Sequence, residues 1–286
     1  MEPKIYKLGW HLVAFLDVLG QRDKFRALRL PKNAQEEAQV QAALTGTAGF
    51  IVELRETFQN QFEAFEAGSI RLRALTKEPL RPSFIGFSDS FITSVPLRND
   101  VGDLVRIVTV YSALHAAAVV MLTSLASEHA LRGGIDVGLA TEIGLGEIYG
   151  TALERAYLLE CKTAQYPRIV IGEELWKFLN SALANFEKET TQTARSITAI
   201  VRQMMRLLAI DAADGNRVLD YLGAVIAESS APRHGRDMVQ PAYEFLLAEQ
   251  KRVIAEANSK LIARYAFFRS YVESRLPLWG ITASRS

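Results

Sequence analysis

Two aspartates in this chain stand where a lone carboxylate is costly. Asp17 ends the apolar run of residues 11–18 (HLVAFLDV) just before Gly20, and Asp89 is the pivot of FIGFSDSFITSV, between two β-rich pieces. A charge at the end of an apolar run needs compensation, and two such acids on one sheet edge would repel each other. A divalent cation relieves that repulsion, because Mg²⁺ typically takes one or two protein carboxylates together with substrate phosphates. Two metals held this way could activate a ribose 3′-hydroxyl and stabilise a pyrophosphate leaving group in an in-line displacement. Gly20 would let the backbone after Asp17 come close to the phosphates. The competing reading makes Asp17 the cap of a helix over 20–28 and Asp89 an ordinary turn residue. For either acid alone that reading is the better one. For the pair the metal reading gains, and spacing does not decide between them.

Other polar residues divide in the same way. Arg132, in LRGGIDVG, is either a phosphate contact or one half of an ion pair at a sheet edge. Arg155 reads as a helix-surface ion pair, Glu147 as a solvated turn acid and Tyr157 as core. His11, His115, His129 and His234 are scattered without metal-ligand spacing. Cys161 is the only cysteine, which excludes an intramolecular disulfide and a cysteine-built zinc site, and fits a reducing cytosol. Gly144 and Gly146 do not make a dinucleotide fingerprint. The net charge of +1 excludes a global field that would draw the chain onto DNA or an anionic membrane. A polyanion would have to be held by a local pocket.

These residues need a scaffold, and the chain is long enough to provide one. Its 286 residues, 49% hydrophobic and 23% charged, make one large domain or two ordinary ones, with a core that needs no disulfide or structural metal. The N-terminus mixes charges and its apolar run ends in Asp17, so it reads as neither a signal peptide nor a spanning helix. Residues 114–125 are a short, Ala-rich run containing His115, which reads as a buried core helix. The expected protein is soluble and cytoplasmic, without nucleic-acid or membrane partners.

Residues 11–18 read as a buried strand. After the break at Pro31–Asn33 a helix follows, with Ile51, Leu54, Phe58, Phe62 and Phe65 along one face for core or dimer packing. Residues 69–82 are basic and irregular. A hairpin over 84–87 and 91–95 turns at Ser88 and Asp89, and a helix covers 103–127. The strand over 131–140 contains Gly133 and Gly134, a pattern of bulges or close backbone approach. The chain turns at Gly150 into a helix reaching about residue 163, then forms a strand at 168–171 and a helix from Gly172 through Trp176. Residues 183–200 are loop or helix. Strands at 205–210 and 217–222 flank the turn pair Asp214-Gly215. An exposed loop over 228–238 and helices at 239–257 and 259–274 complete the chain. This order predicts an α/β (α+β) sandwich with a largely antiparallel sheet. Residues 1–182 would form the core, and residues 183–286 a hairpin that extends the sheet plus helices packed on it, within the same domain.

FLDVLG around Asp17 and FSDSFI around Asp89 resemble the two metal-aspartate motifs of class III nucleotide cyclases. LRGGIDVG resembles the strand that supplies a phosphate-contacting arginine, here Arg132. GEIYGTALERAYLLE resembles the turn and helix carrying base-reading and ribose-positioning residues. Within that family the chain is most similar to the bacterial Pycsar group, pyrimidine cyclases of antiphage defence. The likeness lies in the RGGI strand, the G-x-A-x-x-R-A-Y-x-L-E helix and the YPRIVI strand, and continues into a DG hairpin ending in DYL and aromatic terminal helices.

The resemblance implies a two-metal site for Mn²⁺ or Mg²⁺ at Asp17 and Asp89, with Val18 beside them. Leu19, Gly20, Ser88 and Arg132 would contact a nucleoside triphosphate. It also implies a head-to-tail homodimer, with Asp17, Asp89 and Arg132 from one subunit and Glu147 and Arg155 from the other. The departures are informative. Where purine cyclases read the base with Lys or Glu, this chain has Ile85, which cannot hydrogen-bond; the second base reader falls on Glu147. The family's helix Asn and Arg fall on Glu154 and Leu158, and Arg155, on a neighbouring part of the same face, would take over charge stabilisation. The implied activity is cyclisation of UTP or CTP, with UTP preferred because cyclic UMP is common in the resembled group. A separately encoded effector would sense the product. The alternatives are an adenylate or guanylate cyclase of unusual sequence, or a catalytically inactive regulatory dimer.

Overall fold

A computed structural model describes residues 6–20, 28–68, 80–97, 102–144, 146–229 and 232–284. The helix considered over 20–28 and most of the basic stretch over 69–82 lie outside the described residues. β1 (Gly9–Val18) is buried along its last eight positions, as an unbroken apolar strand must be when both faces are covered. β2 (Ser83–Phe87) and β3 (Ser90–Pro96) form the expected hairpin. Between β1 and that hairpin, α1 (Ala34–Leu44) begins where the Asn33 side chain accepts from the Glu36 amide. A π-turn (Thr45–Gly49) then leads into α2 (Phe50–Gly68).

The centre of the molecule is α3 (Asp103–Ala126), buried on every side between Val105 and Leu125. That is why its sequence is apolar all round rather than along one stripe. By length and composition α3 could cross a membrane, but 78% of its apolar window is buried inside the protein. After it come β4 (Leu131–Gly144), β5 (Glu147–Gly150), α4 (Thr151–Leu158), a π-turn (Leu159–Thr163), β6 (Ile169–Ile171) and α5 (Glu173–Phe186). α6 (Gln192–Arg206), β7 (Leu208–Ile210), β8 (Arg217–Leu219) and α7 (Ala224–Ser229) follow. The last elements are α8 (Pro232–Ala255), α9 (Ser259–Arg275) and a 3₁₀ turn (Leu276–Trp279).

The fold is a mixed α/β sandwich on one eight-stranded, mostly antiparallel sheet of order β2-β3-β1-β4-β6-β8-β7, with β5 paired to β4. Only β4 and β6 run parallel among the paired strands. One face of the sheet is thick: α3 packs with α2, α6 and α8 around it, and Ile51, Leu54, Phe58 and Phe62 are core residues there. The other face is thin. α4 packs on β4 and β1 and closes only a small cluster of Val13, Phe15, Ile92, Ala140, Ile148, Ala152 and Ala156.

Four expectations need correction. β4 runs on to Gly144 and folds back as β5, where only a turn was expected. The alternation that marks β5 is just Ile148 buried beside exposed Glu147 and Tyr149, too short to read as a pattern. α5 continues past Trp176 to Phe186, burying Leu175, Leu179 and Ala182. The DG-hairpin strands are shorter than expected: α6 continues through Arg206, and after Leu219 the chain leaves the sheet and turns at residues 221–222. Residues from 232 onward are helical rather than looped, since Val239, Ala242, Tyr243 and Leu246 of the same helix are buried and anchor its polar first turns.

Candidate active site

Strand register brings the two acids to one end of the sheet. Asp17 lies opposite Ser90 on β3 and opposite Arg132 on β4. Asp89, the neighbour of Ser90, accepts a hydrogen bond from the Val18 amide through its main-chain oxygen at 3.1 Å. A two-residue hairpin turn needs a positive φ, which Ser88 supplies with φ of 56°. The Leu19 amide donates to Ala130 O at 2.8 Å, and Gly20 follows with φ of 81°, a conformation that glycine adopts without strain. Val18, Leu19, Gly20 and Ser88 thus border both acids.

The two carboxylates differ in their surroundings. Asp17 is 7% exposed; Ser90 Oγ donates to its Oδ1 at 2.7 Å and Arg132 Nη2 to its Oδ2 at 3.2 Å. Asp89 is 6% exposed, yet among the described residues no donor reaches its carboxylate. Buried acids are ordinarily hydrogen-bonded or charge-compensated, and among the described residues the Asp89 carboxylate has neither. Two hard oxygen donors at one sheet end fit Mg²⁺ or Mn²⁺, which complete their coordination with phosphate and water. Among the described residues no group of three or more His, Cys, Asp or Glu gathers, so further ligands would come from main chain, water or substrate.

Arg132 is held by a second acid that sequence reasoning gave no role. Its Nε lies 2.7 Å from Glu160 Oε1, and burial, reinforced by Asp17 and opposed by Arg132, pushes the Glu160 carboxyl up to about 7. The Gly133–Gly134 pair explains how Glu160 arrives there. A side chain at Gly134 would overlap Ala156 O and the Leu159 side chain, and would come within 2.9 Å of the Glu160 amide. The bare backbone lets α4 and its π-turn press onto β4, which is the close approach expected of these glycines. The available sequence signal was an acid set in the apolar run Leu158-Leu159-Glu160.

The other two predicted site residues are not gathered with the acids within one chain. Arg155, on α4, donates from Nη1 to Val137 O at 3.2 Å. Val137 pairs with Leu12, five positions along β4 from Arg132, a separation of about 17 Å at strand rise. Glu147 is farther still, exposed at the β4–β5 tip opposite Gly144. Arg155 sits on the helix of the thin face, where an open groove of about 700 Å³ is lined by Phe15, Ile85, Ile92, Tyr149, Leu153 and Tyr157. Tyr157 is not core, as expected, but a groove wall: it is 48% exposed and meets Phe15 edge-on at 5.4 Å. α4 is too short to cover it. Glu154 also lines this groove, and Leu158 is half-buried nearby.

No protein-family model matches the chain, and no curated protein sequence does. Among solved structures it is similar to the adenylyl cyclase CyaB from P. aeruginosa, at 14% identity over 62% of this chain and 84% of that one, with a TM-score of 0.40. It is also similar to two structures of a bacterial light-regulated adenylyl cyclase. One matches at 13% identity over 61% of this chain and 46% of that one, with a TM-score of 0.38. The other matches at 14% identity over 69% and 98%, with a TM-score of 0.36.

Proposed function

We propose that this chain is a cytoplasmic, metal-dependent pyrimidine nucleotide cyclase that converts UTP, or CTP, to the 3′,5′-cyclic monophosphate and pyrophosphate. The observation that carries the reading is the convergence at one sheet end, beside Arg132, of buried Asp17 and of buried Asp89, whose carboxylate meets no donor among the described residues. In the reaction the 3′-oxygen attacks the α-phosphorus and loses its proton, and the bond from that phosphorus to the β-phosphate oxygen breaks. Asp17 and Asp89, with Val18 beside them, would hold Mn²⁺ or Mg²⁺, which lowers the proton affinity of the attacking hydroxyl and neutralises the leaving group when bound. Leu19, Gly20 and Ser88 let the backbone lie close to the phosphates, and Arg132 takes up phosphate charge.

The site is completed by a second copy of the chain. Arg155 and Glu147 stand too far along β4 to serve the acids of their own protomer, so a head-to-tail dimer brings them across, with the apolar groove of the thin face at the contact. Arg155 then stabilises charge on the transferring phosphoryl group. Ile85 gives a purine no hydrogen bond, while Glu147 can accept from uracil N3–H or cytosine N4–H₂. The preference for UTP, the role as a second-messenger source in antiphage defence and the separate effector rest on the sequence resemblance. One observation favours a non-catalytic regulatory dimer instead: Leu158 stands where the resembled family has its arginine.

Incubation of the purified protein with each of the four ribonucleoside triphosphates and Mn²⁺, with products identified by mass, tests the reading. Cyclic UMP or CMP is expected, and none from Asp17→Ala. Mixing silent Asp17→Ala with silent Arg155→Ala should restore part of the activity through mixed dimers. Metal-dependent nucleotide binding without pyrophosphate release would establish the regulatory dimer.

A further inference from the structure

The C-terminal helices wall a second concavity that begins at the proposed phosphate contacts and extends onto residues given no role so far. About 570 Å³ in volume, it is walled by the Leu19–Gly20 turn, Arg132, and Phe245, Arg252, Arg264 and Tyr265 of α8 and α9. Three arginines contribute to the wall, in three different states. Arg252 is paired with both Glu249 and Glu256, so that side of the wall carries no free positive charge. Arg132 is shared by Asp17 and Glu160. Arg264 donates to a neutral partner, the Gln165 amide oxygen, at 3.0 Å, and no acid among the described residues pairs with it.

Arg264 and Arg132 are near enough to feel each other. Burial first, and then the Arg132 charge, disfavour the charged form of Arg264. The position of Arg264 on α9 is fixed by the packing of that helix. Asn258 caps it by accepting from the Leu261 amide at 3.2 Å, and buried Tyr265 and Phe268 hold it against the core. Gly20 faces open space, so the backbone of its turn borders the concavity without a side chain. Two guanidiniums and bare backbone around a recess next to a phosphate-handling sheet end suit an extended anion with several oxygens. Glu128, the wall's remaining acid, is exposed.

We propose that this recess binds a polyphosphate chain, with Arg264 reaching it from α9 in the same protomer as Arg132. The cyclase reading enters only in naming its source, either the β- and γ-phosphates of the substrate or the released pyrophosphate. On this assignment the C-terminal helices form part of the active site.

Calorimetric titration with inorganic tripolyphosphate and with pyrophosphate tests the recess without any need for turnover. The wild type should bind. Arg264→Gln should weaken binding about tenfold or more, as loss of a charge-assisted contact does. Arg264→Lys should keep most of the affinity, and Arg202→Gln, at a surface pair with Glu187, should change nothing. Unchanged affinity in a folded Arg264→Gln, judged by thermal unfolding, overturns the proposal, as does a wild type that binds neither anion. In turnover, a raised KM for the triphosphate identifies the substrate tail, and weaker pyrophosphate inhibition alone identifies the product. Arg264-dependent tripolyphosphate binding in a protein that cyclises no triphosphate would sink the cyclase reading and leave the recess standing.

Discussion

Arg132 and Arg168 occupy neighbouring positions at the starts of β4 and β6, where Gly133 pairs with Ile169 and the Gly133 amide donates to Arg168 O at 2.9 Å. Each has two acidic partners. Arg168 is 4% exposed, with Nη1 donating to Asp211 at 2.7 Å, Nη2 to Thr163 O at 2.7 Å and to Asp214, and its guanidinium 4.4 Å from the Tyr166 ring centre. The Arg132 side chain is 23% exposed and faces a recess, between Asp17 and Glu160, whose carboxyl burial pushes up to about 7. A count of ion pairs would not separate these two. What separates them is how far each guanidinium is buried, 5% against 23% side-chain exposure, and whether solvent space lies beyond. The first arginine is part of the framework; the second is available to a ligand.

The largest effect should fall on the framework arginine. Arg168→Ala leaves Asp211 and Asp214 without their countercharge and should lower the unfolding free energy by about 3–5 kcal/mol, measured by urea denaturation. Arg132→Ala should cost far less stability but lower kcat about 10²–10³-fold. Equal stability losses at both positions would erase the distinction. Gly134→Ala forces α4 and Glu160 away from β4 and should cost about 1–3 kcal/mol through overpacking, with part of the activity lost alongside.

Asp89→Asn sharpens the contrast from the acidic side. Removing a buried charge that no donor among the described residues compensates should raise stability by about 1 kcal/mol while turnover disappears. The smallest effect concerns pH. His11, bonded to Ser94 at 3.0 Å, and His115 are both held below the ordinary histidine range by burial. Each resists protonation more in the folded than in the unfolded state, so the stability they contribute is present above the ordinary value of 6.5 and is lost as pH falls below it. His11→Asn should flatten that part of a stability–pH curve; an unchanged slope would show that His11 is protonated in the fold.

The metal-site candidates were legible because they break a rule: Asp17 ends an apolar strand, and Asp89 pivots a hairpin. Unbroken apolar runs made β1 and α3 legible, since burial on both faces leaves no polar stripe. Glu160 and the Arg168 framework were not. Arg168 meets Asp211 and Asp214 only after the DG hairpin has closed onto β6, a non-local pairing that no local pattern encodes. The first turns of α8 misled for the opposite reason: their local chemistry, with Gly235, Arg236 and Asp237, is that of a loop, and the buried residues that make them helical come later.

The framework arginine also ties the chain's completion to the order of its synthesis. The outer edge of β6 is covered by β8 at Val170 and Val218, and the partners of Arg168 lie 43 and 46 residues downstream. On a ribosome adding about 5–20 residues per second, those partners emerge roughly 2–10 s after β6. During that interval the nascent sheet has an open strand edge and an uncompensated guanidinium, the state most exposed to wrong pairing. A polypeptide ending before residue 219 would be held there permanently. Chaperone engagement should therefore concentrate on chains paused between β6 and β8, and fade once the hairpin closes.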